Sequence, residues 1–355
     1  MTYFRESTHS RQLFTIFSFL FLHILKLISI FVLKKHMTNS NINNRLEFID
    51  ICKGIGIFLV ISSHTYGSFM SWALPFYIPI FFVTSGFCTI RPIKLKVKYK
   101  KLIIPYFFFS FILLAINKSI NLIDIVGVLY SRWSIYPLAC DNNIYLLRSG
   151  NGPLWFLTSM YSSYTFYWIA QKSCKPFLFV FFSIVITYLL SFLPILLPWS
   201  IDTASLMVLF IYFGVIIREK RLLPMVDLKW LCWLAILYFA FLHFCGNINL
   251  SVRIYGRSLI VMLPAAMLGS FLLMRVSCYI ENTIIGNIIS MIGRHSLSIF
   301  CLHIPFIAVW ETIVDCLQIN IPPVIYGILC IIFVLLITYP ISLFLDKYVL
   351  NYITK

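Results

Sequence analysis

Apolar residues fill this chain in runs of about 20, with no alternation of polar and apolar positions inside them. From Arg45 onward the runs fall near 50–69, 73–90, 102–120, 153–171, 177–197, 203–217, 230–246, 257–275, 295–314 and 323–345. About 20 residues at a helical rise cross the hydrocarbon core of a bilayer. In lipid every backbone polar group needs an internal partner, so unbroken runs of this length are helices. The pattern predicts an all-α polytopic transmembrane bundle with about ten core spans. One more run, Leu13 to Leu33, is long enough to span but contains His23 and Lys26. It is longer than a signal-peptide core, and no small-residue cleavage site follows it. Met37 opens the polar stretch MTNSNINNRLEF and is a second candidate start. The expected organisation is an N-terminal extension, 1–44, with one additional candidate span, a membrane domain over 45–350, and a short tail over 351–355.

Composition sharpens this picture. Of the 355 residues, 61% are hydrophobic and only 11% charged, with a mean hydropathy of +0.92. A soluble domain carries about 25% charged residues, so lipid must be the solvent for much of this surface. The net charge of +16 sits in short loops beside the apolar runs. Loops rich in Lys and Arg (Lys34, Lys35, Arg45; Arg91 to Lys101; Lys172, Lys175; Arg218 to Lys229; Arg275, Arg294; Lys347, Lys355) alternate with poor ones. The poor ones are Gly67 to Ser71, Pro198 to Asp202 and the longer 121–152 segment with Arg132 and Arg148; Arg253 and Arg257 are the one basic pair on that side. This predicts a multi-pass protein of the cell membrane with both ends of the core cytoplasmic. The basic residues then read as a topology signal, and the expected partner is the bilayer, with no nucleic acid. The ten cysteines show no CxxC pair and no metal spacing, and most lie inside apolar runs, so neither a disulfide framework nor a metal site is expected. The longest loop is too short for a hidden soluble domain, so any chemistry must use spans and short loops.

Ionisable groups inside a bilayer are costly and point to function. The first core span holds Asp50, Lys53 and His64. At about 100° per residue, the steps from Lys53 to His64 return to within about 20° of the same face, over a rise of about 16 Å. Both side chains therefore share one stripe, Lys53 near the cytoplasmic end and His64 in the outer half. Asp50 lies one turn before Lys53 and can pair with it. Packing for His64 and snorkelling for Lys53 are the ordinary alternatives.

The stretch RLEFIDICKGIGIFLVISSH, followed by IPIFFVTSGF, resembles the opening of the membrane-bound acyltransferase-3 family, which includes polysaccharide O-acetyltransferases and fucose 4-O-acetylase-like proteins. A basic residue, ten arbitrary residues and a histidine mark that family's first helix; here they are Lys53 and His64. FFVTSGF (Phe81 to Phe87), KKLIIPY (Lys100 to Tyr106), GPLWFL (Gly152 to Leu157), PWSIDTASL with FGVIIREK, and IGRHSLSIFCLHIP (Ile292 to Pro305) resemble later motifs in the same order. The resemblance spans about 45–350 and implies transfer of an acyl group, acetyl by family habit, from acyl-CoA to a sugar or cell-surface polysaccharide hydroxyl. It puts His64 in the place of the catalytic histidine and Lys53 in that of its basic partner. Acyl-CoA is then a co-substrate and no permanently bound cofactor is expected. Lys53, Arg91, Lys100 and Lys101 are the candidates for its phosphates. Asp202 can orient His64, or simply cap the helix it opens. Trp155 can offer a sugar ring a platform, and His303, mid-span in LHIP, faces either the cavity, as a substrate-binding candidate, or a helix contact.

A transporter or flippase for a lipid-linked sugar is the competing reading, since it too uses buried charge in a many-helix bundle. It has no need of a base on the Lys53–His64 stripe. A structural scaffold leaves the intramembrane charge without a reason.

Overall fold

The computed structural model describes residues 46–65, 67–89, 92–116, 121–132, 152–173, 175–318 and 321–354. The N-terminal extension with its Leu13–Leu33 run, Arg91, and 133–151 of the long loop lie outside the described residues.

Helices make up almost all of the fold. Each expected core span contains one: α1 (Glu47–Thr65), α2 (Pro79–Phe87), α3 (Leu95–Ile116), then, after α4 (Leu122–Tyr130), α5 (Trp155–Lys172), α6 (Pro176–Leu190), α7 (Ile201–Glu219) and α8 (Leu228–Cys245). A small hairpin follows, β1 (Ile248–Asn249) against β2 (Ile254–Tyr255), antiparallel with Ile248 opposite Tyr255. Then come α9 (Leu259–Ile280), α10 (Ile284–Arg294), α11 (Ser296–Leu317) and α12 (Pro323–Leu345). Seven of the described helical segments are long and apolar enough to cross a membrane. The chain is a multi-pass membrane protein.

The remaining expected spans are realised differently. The 73–90 segment spends its first part in the end of a 3-10 turn (Gly67–Ala73) and a bend, and only then enters the short α2, with Pro79 in the first helical position, where its missing N–H costs nothing. The α5 helix has the length, but Thr158, Ser159, Ser162, Ser163 and Thr165 lower its hydropathy. Ser163 and Thr165 return their hydroxyls to carbonyls one turn back. Two helices occupy stretches expected as loop, α4 and α10, and both expose apolar rows: Leu122, Ile123, Val126 and Leu129 on α4, and Ile284, Ile285, Ile288 and Met291 on α10. Rows of that kind suit helices lying against lipid.

Small residues set the closest helix contacts, as expected where van der Waals packing drives association. The α2 helix packs against α7 with two glycines facing: a Cβ on Gly86 would lie 2.0 Å from the Ile211 carbonyl oxygen, and one on Gly214 2.0 Å from that of Val83. The α10 helix meets the first turns of α1 in the same way, with a Gly293 Cβ only 1.7 Å from the Asp50 carbonyl oxygen. These contacts draw the motif-bearing α1 and α2 together with α7 and α10 at one core.

Candidate functional site

The α1 helix carries the site at both of its ends. At its start, Glu47 and Asp50 lie where the helix dipole favours carboxylates. The expected pair forms: Lys53 Nζ is 3.8 Å from Asp50 Oδ1. A second cation joins it, Arg294 at the end of α10, with Nε 3.8 Å from Asp50 Oδ2. Asp50 is buried while Lys53 and Arg294 keep 32% and 45% of their side chains exposed. One carboxylate thus anchors two cations that still reach outward. Nearby, the Asp346 carboxylate takes the Ser298 hydroxyl and lies 2.5 Å from His295 Nδ1, tying the start of α11 to the end of α12.

At the other end of α1, His64 is exposed and stands in the last turn. Its ring centroid lies 5.1 Å from that of His303, the planes tilted by 50°. His303 is fully buried in the middle of α11. Its Nδ1 bonds the Phe300 carbonyl one turn back, and its Nε2 has no partner among the described residues. An aromatic file continues inward: Phe300 lies 5.6 Å from His303 and 4.9 Å from Phe156, and Phe156 sits edge-on to Phe81, Phe82 and Trp155. Three motifs that are remote in sequence, the α1 stripe, FFVTSGF and WFL, therefore converge with the LHIP segment (Leu302 to Pro305) around one pair of imidazoles. Trp155 is buried, and its described ring contact is with Phe156, which in turn packs on Phe300.

Asp202 has other partners than those expected. It is not the N-cap, which is Ser200; it sits in the first turn of α7. One of its carboxylate oxygens takes Arg132 and the Thr203 amide; the other takes the Leu197 amide and lies 3.4 Å from Arg253 Nε. All three charged side chains are buried. Arg132 also bonds the carbonyls of Leu197 and Ser251, and Arg253 those of Leu190 and Leu193. This cluster locks the ends of α4 and α6 and the β1–β2 hairpin onto α7. Burial lowers the Arg132 guanidinium from its ordinary value, and adjacent Asp202 opposes that shift. No described contact links Asp202 to His64. Arg253, one of the basic pair on the otherwise poor side, and Arg132 of the long loop are thus internal ion-pair partners of Asp202.

Lys100 and Lys101 lie on the first turns of α3, and Lys101 is exposed. On the same turns Lys98 places its ammonium 3.8 Å from the centre of the Tyr164 ring. Among the described residues no group of three or more His, Cys, Asp or Glu is arranged to hold a metal ion. Arg294, His295 and the buried arginines were missed as site or structural residues, because their roles depend on partners from other helices.

Neither the curated proteins nor the solved structures give a match to this chain. A family model does: the acyltransferase domain of the acyltransferase-3 family matches residues 46–343, which include α1, both histidines and the loops between them. The chain belongs to the membrane-bound acyltransferase-3 family, and acyl transfer is its activity.

Proposed function

We propose that this protein moves an acyl group, acetyl by family habit, from acyl-CoA to a hydroxyl of a sugar or cell-surface polysaccharide precursor, with His64 as the general base. The observation that carries the proposal is the Lys53–His64 stripe of α1, with an exposed imidazole at one end and two outward-reaching cations at the other. The basic end faces the cytoplasm in this reading, at the cell membrane, where acyl-CoA is supplied. Lys53, and beyond it Arg91, Lys100 and Lys101, meet the CoA phosphates, and the flexible thioester arm runs along α1.

A sugar hydroxyl is a weak nucleophile at neutral pH, and histidine has the affinity for protons that the task needs. The hydroxyl oxygen attacks the thioester carbonyl while His64 takes its proton. The carbon–sulfur bond then breaks, the ester remains on the sugar, and CoA leaves as its thiolate, which the His64 imidazolium reprotonates. The last turn of α1 suits this role, since its free carbonyls favour a positive charge there.

The test measures transfer of label from radioactive acetyl-CoA to acceptors in the host membrane fraction. His64→Ala is expected to insert and fold but to lose about 10² to 10⁴ in rate, the usual contribution of a general base. His64→Gln keeps polarity and approximate size but cannot take the proton, so it should be nearly as inactive. Near-normal transfer by the Gln variant would remove His64 from the role of base.

A further inference from the structure

His303 is fully buried, yet among the described residues it is neither ion-paired nor fully bonded. Its Nδ1 faces the Phe300 carbonyl. A carbonyl oxygen only accepts, so Nδ1 carries the proton. The proton-free nitrogen is then Nε2, which holds a lone pair in a buried place with no donor. An unsatisfied buried acceptor is rare and asks for a partner. The nearest ring is His64, with centroids 5.1 Å apart. Two imidazoles joined head-on by one N–H···N hydrogen bond have centroids about 5 Å apart. The centroid separation fits such a bond, and the rings stand tilted by 50° without making it. No hydrogen bond among the described residues fixes the His64 ring, so it is not held away from His303 by another partner.

We propose that His303 is a positioning residue for the base, with its Nε2 accepting the N–H of His64. The inference rests on the reading of His64 as base and deepens it. A neutral imidazole has one N–H and one lone pair. Once His303 takes the N–H, the lone pair of His64 is committed to its other nitrogen, free for the acceptor hydroxyl. The Phe300 carbonyl thus sets the tautomer of His303, and His303 sets that of His64. When His64 takes the hydroxyl proton, its bond to His303 becomes charge-assisted and stronger. No proton moves onto His303, which is buried and would carry the charge poorly. The half-open ring does the proton transfer, and the closed ring holds it in register.

The test compares His303→Gln with His303→Phe in the full-length protein in membranes, using labelled acetyl-CoA. The Gln side-chain oxygen can accept the His64 N–H; Phe fills the site but accepts nothing. The inference expects Gln to keep most of the turnover. It expects Phe to lose roughly 10- to 100-fold in kcat, the effect of a misplaced reacting group, with KM for acetyl-CoA unchanged. A packing role predicts the reverse order, because Phe suits an apolar site and a buried amide does not. His64→Ala combined with His303→Phe should be no slower than His64→Ala alone, since the two act as one unit. Wild-type transfer by His303→Phe, or a Gln variant as slow as Phe at equal folded yield, overturns the proposal. If His64→Ala is inactive while His303→Phe is normal, the base stands and only the positioning role falls. If His64→Ala retains transfer, or the wild type transfers nothing from acetyl-CoA, both fall together.

Discussion

Replacing Asp202 with Ala separates a structural role from a catalytic one. The substitution leaves Arg132 and Arg253 buried, with side chains only 1% and 2% exposed, and no counter-charge between them. The Arg253 contact at 3.4 Å is worth on the order of 5 kcal/mol at an effective dielectric of about 20. The closer Arg132 contact is worth at least as much, but desolvation of both partners offsets most of the gross attraction. Measured losses on breaking a buried pair are about 3–5 kcal/mol, or roughly two to three and a half powers of ten in the folded-to-unfolded ratio. Asp202→Ala should therefore lower the thermal midpoint in detergent and the folded yield in membranes. Material that does fold should still transfer label at more than about a tenth of the normal rate, because no described contact joins Asp202 to the imidazole pair. A triple variant, Arg132→Met with Asp202→Leu and Arg253→Met, removes charge and counter-charge together and should recover stability, as buried triads do when replaced by apolar groups. The assay pairs size-exclusion profiles and melting with transfer per folded molecule. A variant that melts like the wild type but transfers nothing would refute this assignment and return Asp202 to the catalytic site.

Two further outcomes follow from the geometry. Charge reversal at both Lys100 and Lys101 should raise the acetyl-CoA KM more than it lowers the maximal rate, since phosphate contacts act alike in the ground and transition states; an unchanged KM would take these lysines out of the donor site. Gly214→Val puts a Cβ 2.0 Å from the Val83 carbonyl oxygen and should cost at least about 1–3 kcal/mol by overpacking the α2–α7 contact. Gly152→Ala, with nothing within 4 Å of its Cβ, is the control for melting, and equal midpoints would show that α2 and α7 separate freely.

Features set by one stretch of chain were legible in the sequence. The lengths of the apolar runs placed a helix in every expected core span, because backbone satisfaction in lipid leaves no other form. The pairing of Asp50 with Lys53 followed from helical spacing alone. Local composition misjudged α4 and α10, whose short amphipathic segments carry too few apolar residues to read as spans yet expose an apolar row once helical. Arg132 and Arg253 looked like weak topology charges, since the sign of a loop residue does not say whether its side chain points to water or inward. Asp202 was singled out as an acid that opens a span and could orient His64 or cap its helix, whereas it holds a buried charge network. Its partners come from two loops that only the fold brings together.

The same limit explains the site. His64 could be singled out because a second ionisable group shares its helix face; His303 had no such local companion. Its significance arises where α11 crosses the end of α1, with Phe300 supplying both a wall and the carbonyl that fixes its proton. A lone buried histidine in a sequence is most simply a packing residue. A buried histidine with one nitrogen bonded, the other bare and a second imidazole 5.1 Å away is a different chemical object. Lipid-embedded helices make that difference sharper, because a bare acceptor there has no bulk water to turn to. The donor it waits for must come from His64, from a trapped water or from a substrate hydroxyl. Of these, His64 is the donor whose ring stands against His303, with centroids 5.1 Å apart.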